Sequence, residues 1–319
     1  MARRRAARTR GTPRAATRGG RRASPRRPVP RRSPSPRPAG GPGRPASRPI
    51  ITFTSDFGHN DWFVGVVHGV IHAACPEARV VDLTHDIPPG HIARAAFVLE
   101  ASAPDFPPGT VHLAVVDPGV GTDRRPLAVR SRGQLFVGPD NGLLEWALCD
   151  SAAEVHAVTS TRHFRHPVSR TFHARDVFAP VAARLACGEP VGSFGARIGD
   201  PVRIPRPVPR RADGLLVGRV MFVDHFGNAL TNLTEADLSD AFPMVAESAL
   251  GVRVADRVIR GLGRVYGDSK PGTLLAILGS SGRLEIAQVG GDAAERLGLG
   301  EGDEVAVGVG DLPHAARGD

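Results

Sequence analysis

The sequence predicts an α/β N-terminal domain with a mostly parallel sheet, plus a smaller all-β barrel C-terminal domain. Three observations predict it. From Pro49 onward, short apolar runs alternate with helix-periodic stretches, the pattern of βαβ units. Those runs end in Asp, His or Asn, polar groups of the kind that gather at the carboxyl edge of an open sheet. Past the proline-rich stretch IPRPVPRR, the helical period gives way to short strands separated by turns. The expected division is a tail at 1–48, an α/β domain at 49–203, a linker at 204–211 and a barrel at 212–319.

Ile50 to Thr54 reads as the first strand. Phe63, Val66, Val67, Val70 and Ile71 then fall on one face of a helix that Pro76 stops. Arg79 to Leu83 is a second strand, and Ile92, Ala95, Ala96 and Leu99 mark a second helix. Val111 to Val116 is a third strand, Pro126 to Val137 a strand pair, and a short helix carries Trp146. A strand near Val155 to Val158 precedes a helix from Val177 to Cys187, with Asp176 as its N-cap and Gly188 closing it. Strands at Gly214 to Asp224, Gly251 to Ile259, Leu274 to Leu278, Leu284 to Val289 and Glu304 to Val309 complete the barrel.

The formal charge of +9 is unevenly placed. The first 48 residues hold sixteen of the 41 basic side chains and no acid, so the remainder sets 25 basic groups against 32 acidic ones. The body is acidic, which argues against a nucleic-acid surface there. The Arg/Pro-rich tail lacks the apolar content to offset the entropy of ordering, and disorder is expected. It is either a weak polyanion-binding arm or an inert extension. Cys75, Cys149 and Cys187 lie far apart without a CxxC spacing, so neither a disulfide framework nor a thiolate metal site is expected, and a cytoplasmic location is. No apolar run approaches the ~20 residues of a membrane span.

The stretch VVDPGVGTDRR, Val115 to Arg125, sets a carboxylate, a glycine turn and paired guanidinium groups at the end of the third strand. On spacing alone, Asp117 and Arg124 are equally a turn brace and a catalytic pair. His68 and His72 have an i, i+4 metal-ligand spacing but no evident third ligand, so no metal is expected. His85 reads as a loop histidine rather than a base, and Asp140 and Asn141 as shaping a pocket floor.

Seven motifs follow in order: SDFGHND, VVDLTHDI, VVDPGVGTDRR, GPDNGLL, TFHARDVFAP, DHFGNALTN and LGSSGRLEIA. Together, from Pro49 to about Val309, they resemble the S-adenosyl-L-methionine (SAM) hydroxide adenosyltransferase family, relatives of the adenosyl halide synthases. The resemblance implies hydrolysis of SAM by water or hydroxide at C5′ of the ribose, giving adenosine and L-methionine. It implies a homotrimer, with sites between the first domain of one subunit and the second domain of its neighbour. By motif, the catalytic groups are Asp117, Arg124 and His173. Asp56 falls on the ribose hydroxyls with Asp61 nearby, though a strand-end cap explains Asp56 as well. Asp224, Asn228, Ser280 and Ser281 fall on the methionine end, and Tyr266 either stacks on adenine or is an ordinary barrel aromatic. No cofactor is implied, SAM being the substrate.

Two departures stand out: Ala174 where the family usually has Gly, and Ser281 where relatives often have Arg. Asp117 replaces the Tyr-containing stretch of the halide synthases, and its charge disfavours a halide nucleophile. Halide transfer and a non-catalytic SAM-binding sensor are the alternative readings.

Overall fold

The computed structural model describes residues 48–313, so the expectations for the tail lie outside the described residues. Strands β1 (Ile50–Ser55), β2 (Arg79–Thr84), β3 (Val111–Val115), β4 (Pro126–Ser131), β5 (Gln134–Pro139) and β6 (Glu154–Ala157) form one six-stranded sheet in the order β2-β1-β3-β5-β4-β6. The pairs β2-β1, β1-β3 and β3-β5 are parallel, and β4 runs antiparallel to both its neighbours. All five residues of β3 are buried, as expected of a central parallel strand with both faces covered. Helix α1 (Phe63–Ala74) buries Val67 and Ile71, and α2 (Ile92–Ser102) buries Ala95, Ala96 and Leu99, the stripes read from the sequence. The short helix α3 (Glu145–Leu148) follows β5.

The helix expected from Val177 starts earlier than its sequence suggests. A π-turn, Ala174–Phe178, leads into α4 (Ala179–Ala186). Asp176 is therefore no N-cap. Its fully buried carboxylate lies inside the π-turn and accepts from Arg175, Arg165 and the Ser169 amide. A buried anion needs such partners, and the basic residues around it supply them. The cysteine expectation is also corrected: Cys75 and Cys187 form a disulfide across 112 residues, with Cα atoms 6.0 Å apart. They follow the last residues of α1 and α4, whose C-terminal ends pack side by side, and sequence spacing carries no trace of that pairing. The cysteine argument for a reducing compartment falls with it.

Strands β7 (Arg210–Ala212), β8 (Leu215–Val223), β9 (Ala229–Thr234), β10 (Leu250–Val254), β11 (Arg257–Arg260), β12 (Leu274–Leu278), β13 (Arg283–Gln288) and β14 (Glu304–Val309) form the second, antiparallel sheet. Its order is β11-β10-β14-β8-β9-β13-β12, with β7 added to β8. A parallel bridge from Gly263 to Ile277 brings the segment after β11 onto β12, so the sheet nearly closes on itself. The single strand expected at Gly251 to Ile259 is a hairpin, because Ala255 adopts φ 48° and reverses the chain. Phe97 of α2 stacks on Phe222 of β8, and Glu100 holds both Arg206 and Arg283. No helix among the described residues is long and apolar enough to cross a membrane.

Two loops at the carboxyl edge of the first sheet meet at one glycine. Gly121 has φ +80°, and a Cβ there would lie 2.2 Å from the Arg170 carbonyl oxygen. The loop after β3 thus rests directly on the chain leading to His173. Gly121→Ala is expected to cost about 1–3 kcal/mol through this clash and the left-handed backbone. A thermal melt should show its midpoint lowered by several degrees, and an unchanged midpoint would refute the contact.

Candidate active site

Asp117 lies two residues beyond β3, where the strand delivers it to the carboxyl edge. Arg124 returns along the same loop and forks onto it: Nε donates to Asp117 Oδ1 at 3.0 Å, and Nη2 donates to Oδ2. The side chains are 7% and 5% exposed, so both charges are withdrawn from water together. Arg124 Nη2 also lies 3.2 Å from His173 Nδ1, and its guanidinium carbon sits 5.1 Å from the Phe178 ring centroid. Because a guanidinium only donates, His173 Nδ1 is the acceptor, which puts the imidazole proton on Nε2. The buried Nη1 of Arg124 has no hydrogen-bond partner among the described residues.

Burial raises the Asp117 carboxyl above its ordinary value, while the charge and hydrogen bonds of Arg124 pull against that rise. Burial lowers the His173 imidazole, and the charge of Arg124 lowers it further. Ala174, buried behind His173, has no left-handed backbone, so its methyl is accommodated without strain.

Asp56, Asp117 and His173 line one cavity of about 340 Å³ with Phe57, Phe63 and Phe172. The three rings pack edge to face or tilted, with centroids 5.2 to 6.1 Å apart, giving an apolar wall. Asp56 Oδ2 accepts from the Gly90 amide at 2.8 Å, leaving its other oxygen without a donor among the described residues. Asp61 is exposed ahead of α1 and does not line this cavity.

The remaining candidates gather elsewhere. Asp224, Asn228, Tyr266, Ser280 and Ser281 line a second cavity, about 1260 Å³, between the barrel and α2, and none of them lines the first. Asp224 accepts from the amides of Phe226 and Asn228 and from Asn228 Nδ2. Tyr266 donates to Glu285 Oε2 at 3.2 Å, and burial with that carboxylate pushes the phenol up to about 12. Glu285 lines this cavity as well and was passed over by sequence reasoning, although it stands inside the LGSSGRLEIA motif. Its alternation with Leu284 and Ile286 on β13 was the available signal.

Other readings resolve as braces. Asp140 binds Arg125 and the Val202 amide, and Asn141 spans the Val116 carbonyl and the Leu143 amide. His68 and His85 both approach Asp82, at 2.8 and 3.0 Å, and His85 Nδ1 lies 2.7 Å from Ser55 Oγ.

The sequence and the fold both have relatives. Residues 51–195 match the model of the SAM hydroxide adenosyltransferase N-terminal domain, and residues 218–306 match that of its C-terminal domain. The chain belongs to the SAM hydroxide adenosyltransferase family. It is 42% identical over 273 residues to a protein of Salinispora arenicola named (R)-S-adenosyl-L-methionine hydrolase, covering 83% of this chain and all of that one. A Nocardia brasiliensis protein named fluorinase is 30% identical over 302 residues, covering 82% of this chain and 98% of its own. An uncharacterized conserved protein of Thermotoga maritima has the same fold, with TM-score 0.77 and 36% identity, covering 81% of this chain and 99% of that one.

The shared Arg124 contact makes a spectroscopic prediction. Nitrogen NMR should find His173 protonated on Nε2 when neutral and titrating below pH 6.5. A protonated Nδ1 at neutral pH would refute the assigned contact.

Proposed function

We propose that this protein hydrolyses SAM, with water attacking C5′ of the ribose to give adenosine and L-methionine. The observation that carries this reading is the Asp117–Arg124–His173 chain beside an aromatic-walled cavity. The named hydrolase that matches along its whole length supports the substrate.

The chemistry asks little of the protein beyond placement. The C5′–S bond breaks with its electron pair going to sulfur, the C5′–O bond forms, and the water gives up one proton. A sulfonium is already a good leaving group, so the reading assigns no cofactor. Holding water in line opposite sulfur is the main contribution, and orientation supplies up to ~7–11 kcal/mol in favourable cases. Asp117, kept anionic by Arg124, accepts from the water and receives its proton. His173 has Nδ1 engaged by Arg124, so its Nε2–H orients the water oxygen rather than taking a proton. The negative Asp117 repels halide, which separates this reading from halide transfer. Asp56, with one oxygen free, takes the ribose hydroxyls.

The two cavities account for the rest. With the catalytic groups in one and Asp224, Asn228, Tyr266, Ser280 and Ser281 in the other, one bound SAM spans two chains. Trp62 at 68% and Phe226 at 74% exposure are large apolar side chains that a neighbour covers in this reading. Asp61, beside Trp62, belongs to the same face. We therefore assign a homotrimer, with the division at 204–211 separating the halves that each site combines. A cytoplasmic location rests on the charged substrate, which does not cross a bilayer unaided.

Asp117→Asn and His173→Ala should each lower adenosine release by about 10²–10⁴-fold, followed by chromatography. Unchanged rates in either variant would remove its assigned role, and 5′-halo-adenosine from wild type with added halide would favour the halide reading. The active form has Asp117 ionised and His173 neutral. The rate should therefore fall as pH drops from 6.5 toward 3.8, since Asp117 titrates above its ordinary 3.8 and His173 below its ordinary 6.5. A rate unchanged across that window would contradict both assignments.

A further inference from the structure

Asp82, His85 and Ser55 form a row of polar groups that the reading above leaves unused. His85 follows β2, and Ser55 is the last residue of β1. Ser55 and His85 are fully buried, and Ser55 Oγ lies 2.7 Å from His85 Nδ1. His85 Nε2 faces Asp82 Oδ1 at 3.0 Å, out of line for a hydrogen bond and with no other partner among the described residues. A ring nitrogen whose lone pair faced a carboxylate would be repelled by it. Nε2 therefore carries the proton, and Nδ1 accepts from the Ser55 hydroxyl.

The order of acid, imidazole and hydroxyl is that of a serine nucleophile, yet this hydroxyl is not placed to act as one. Ser55 does not line the first cavity, whereas its neighbours Asp56 and Phe57 do. The row ends on backbone instead. The Phe57 amide donates to Ser55 Oγ at 3.3 Å, and the Gly58 amide donates to the His85 carbonyl at 2.8 Å. These contacts take over where the sheet gives out, because the β1-β2 ladder shifts register after Phe53 and ends at the Thr54 and Thr84 pair. Gly58 then turns the chain at φ +67°. His85 thus grips the turn at both ends, by its ring at Ser55 and by its carbonyl at Gly58, with Asp56 between. The imidazole is itself fixed edge-on to Phe53, with ring centroids 4.6 Å apart.

We propose that His85 is a positioning residue: through Ser55 and Gly58 it holds the turn that aims the Asp56 carboxylate at the ribose hydroxyls of the substrate. The inference rests on SAM being the ligand and on Asp56 taking its ribose. It explains why a histidine with no access to the cavity is buried beside a carboxylate there, and it gives Ser55 a structural task in place of a chemical one.

Calorimetric titration with SAM and with its 2′-deoxyribose analogue tests this without depending on turnover. Wild type should bind SAM about tenfold more tightly than the analogue, the difference being one hydrogen bond to a charged acceptor. Ser55→Ala, the smallest change in the row, should bring the two ligands within about threefold of each other, and His85→Ala should do the same. His85→Asn, whose amide oxygen stands near the place of Nδ1, should restore part of the preference. Asp56→Ala should abolish the preference, and adding His85→Ala to it should change either affinity by less than about twofold. If Ser55→Ala and His85→Ala weaken both ligands equally, or neither, or if the double variant shows additive losses, the proposal is overturned. A wild type that binds both ligands equally would overturn the ribose contact of Asp56 and this proposal with it, while adenosine release would still uphold the hydrolase reading. The expected changes in preference without adenosine release would sustain the proposal and sink the hydrolase reading.

Discussion

Arg124 is the constraint on which the site depends. Its fork neutralises Asp117 inside the protein, and its remaining reach sets the hydrogen-bonding state of His173. Withdrawing two charges from water is costly, and only close geometry and further hydrogen bonds offset the cost. Here the geometry is bidentate, the Phe178 ring lies beneath the guanidinium, and the Gly121 contact presses the two loops together. Losing either partner of such a buried pair leaves an uncompensated charge, typically 3–5 kcal/mol. The pair therefore braces the loop and, in the proposed function, presents chemistry at once.

The molecule divides its labour by electrostatics. At the sheet edge, one carboxylate is held anionic by one guanidinium in a nearly dry setting, which suits bond-making with water. In the larger cavity, the carboxylates of Asp105, Asp224, Glu285 and Asp292 line one wall system with a single Arg, Arg264, among the described residues. Among the described residues, the first arrangement leaves Nη1 of Arg124 buried without a partner, and the second leaves the Ser281 hydroxyl and the Gln288 amide oxygen so. In the proposed function, that difference separates the place where the reaction is run from the one where the ligand is read.

Much of this was legible in the chain. The apolar stripes of α1 and α2, the buried run of β3 and the seven motifs were each local patterns, and local patterns survive in one dimension. What was not legible depended on elements distant in sequence. Cys75 and Cys187 pair only because two helix ends lie side by side. Asp176 resembled a cap until Arg165, Arg175 and the Ser169 amide closed around it. The β10–β11 hairpin hid behind Ala255, a residue with no preference for the backbone angle it adopts.

The π-turn at Ala174–Phe178 has a consequence for how such a site changes over time. A π-turn amounts to one extra residue in an α-helix, closed here by the Ala179 amide bonding to the Ala174 carbonyl. Each residue of an α-helix advances the chain by about 100° around its axis. Deleting one residue in this segment would restore an ordinary helical register and swing His173 by roughly that angle, with the body of α4 still packed on the sheet. A single codon therefore separates a loop aimed at Arg124 from one aimed away from it, so descendants of this fold can lose or redirect the histidine without rebuilding the helix that carries it.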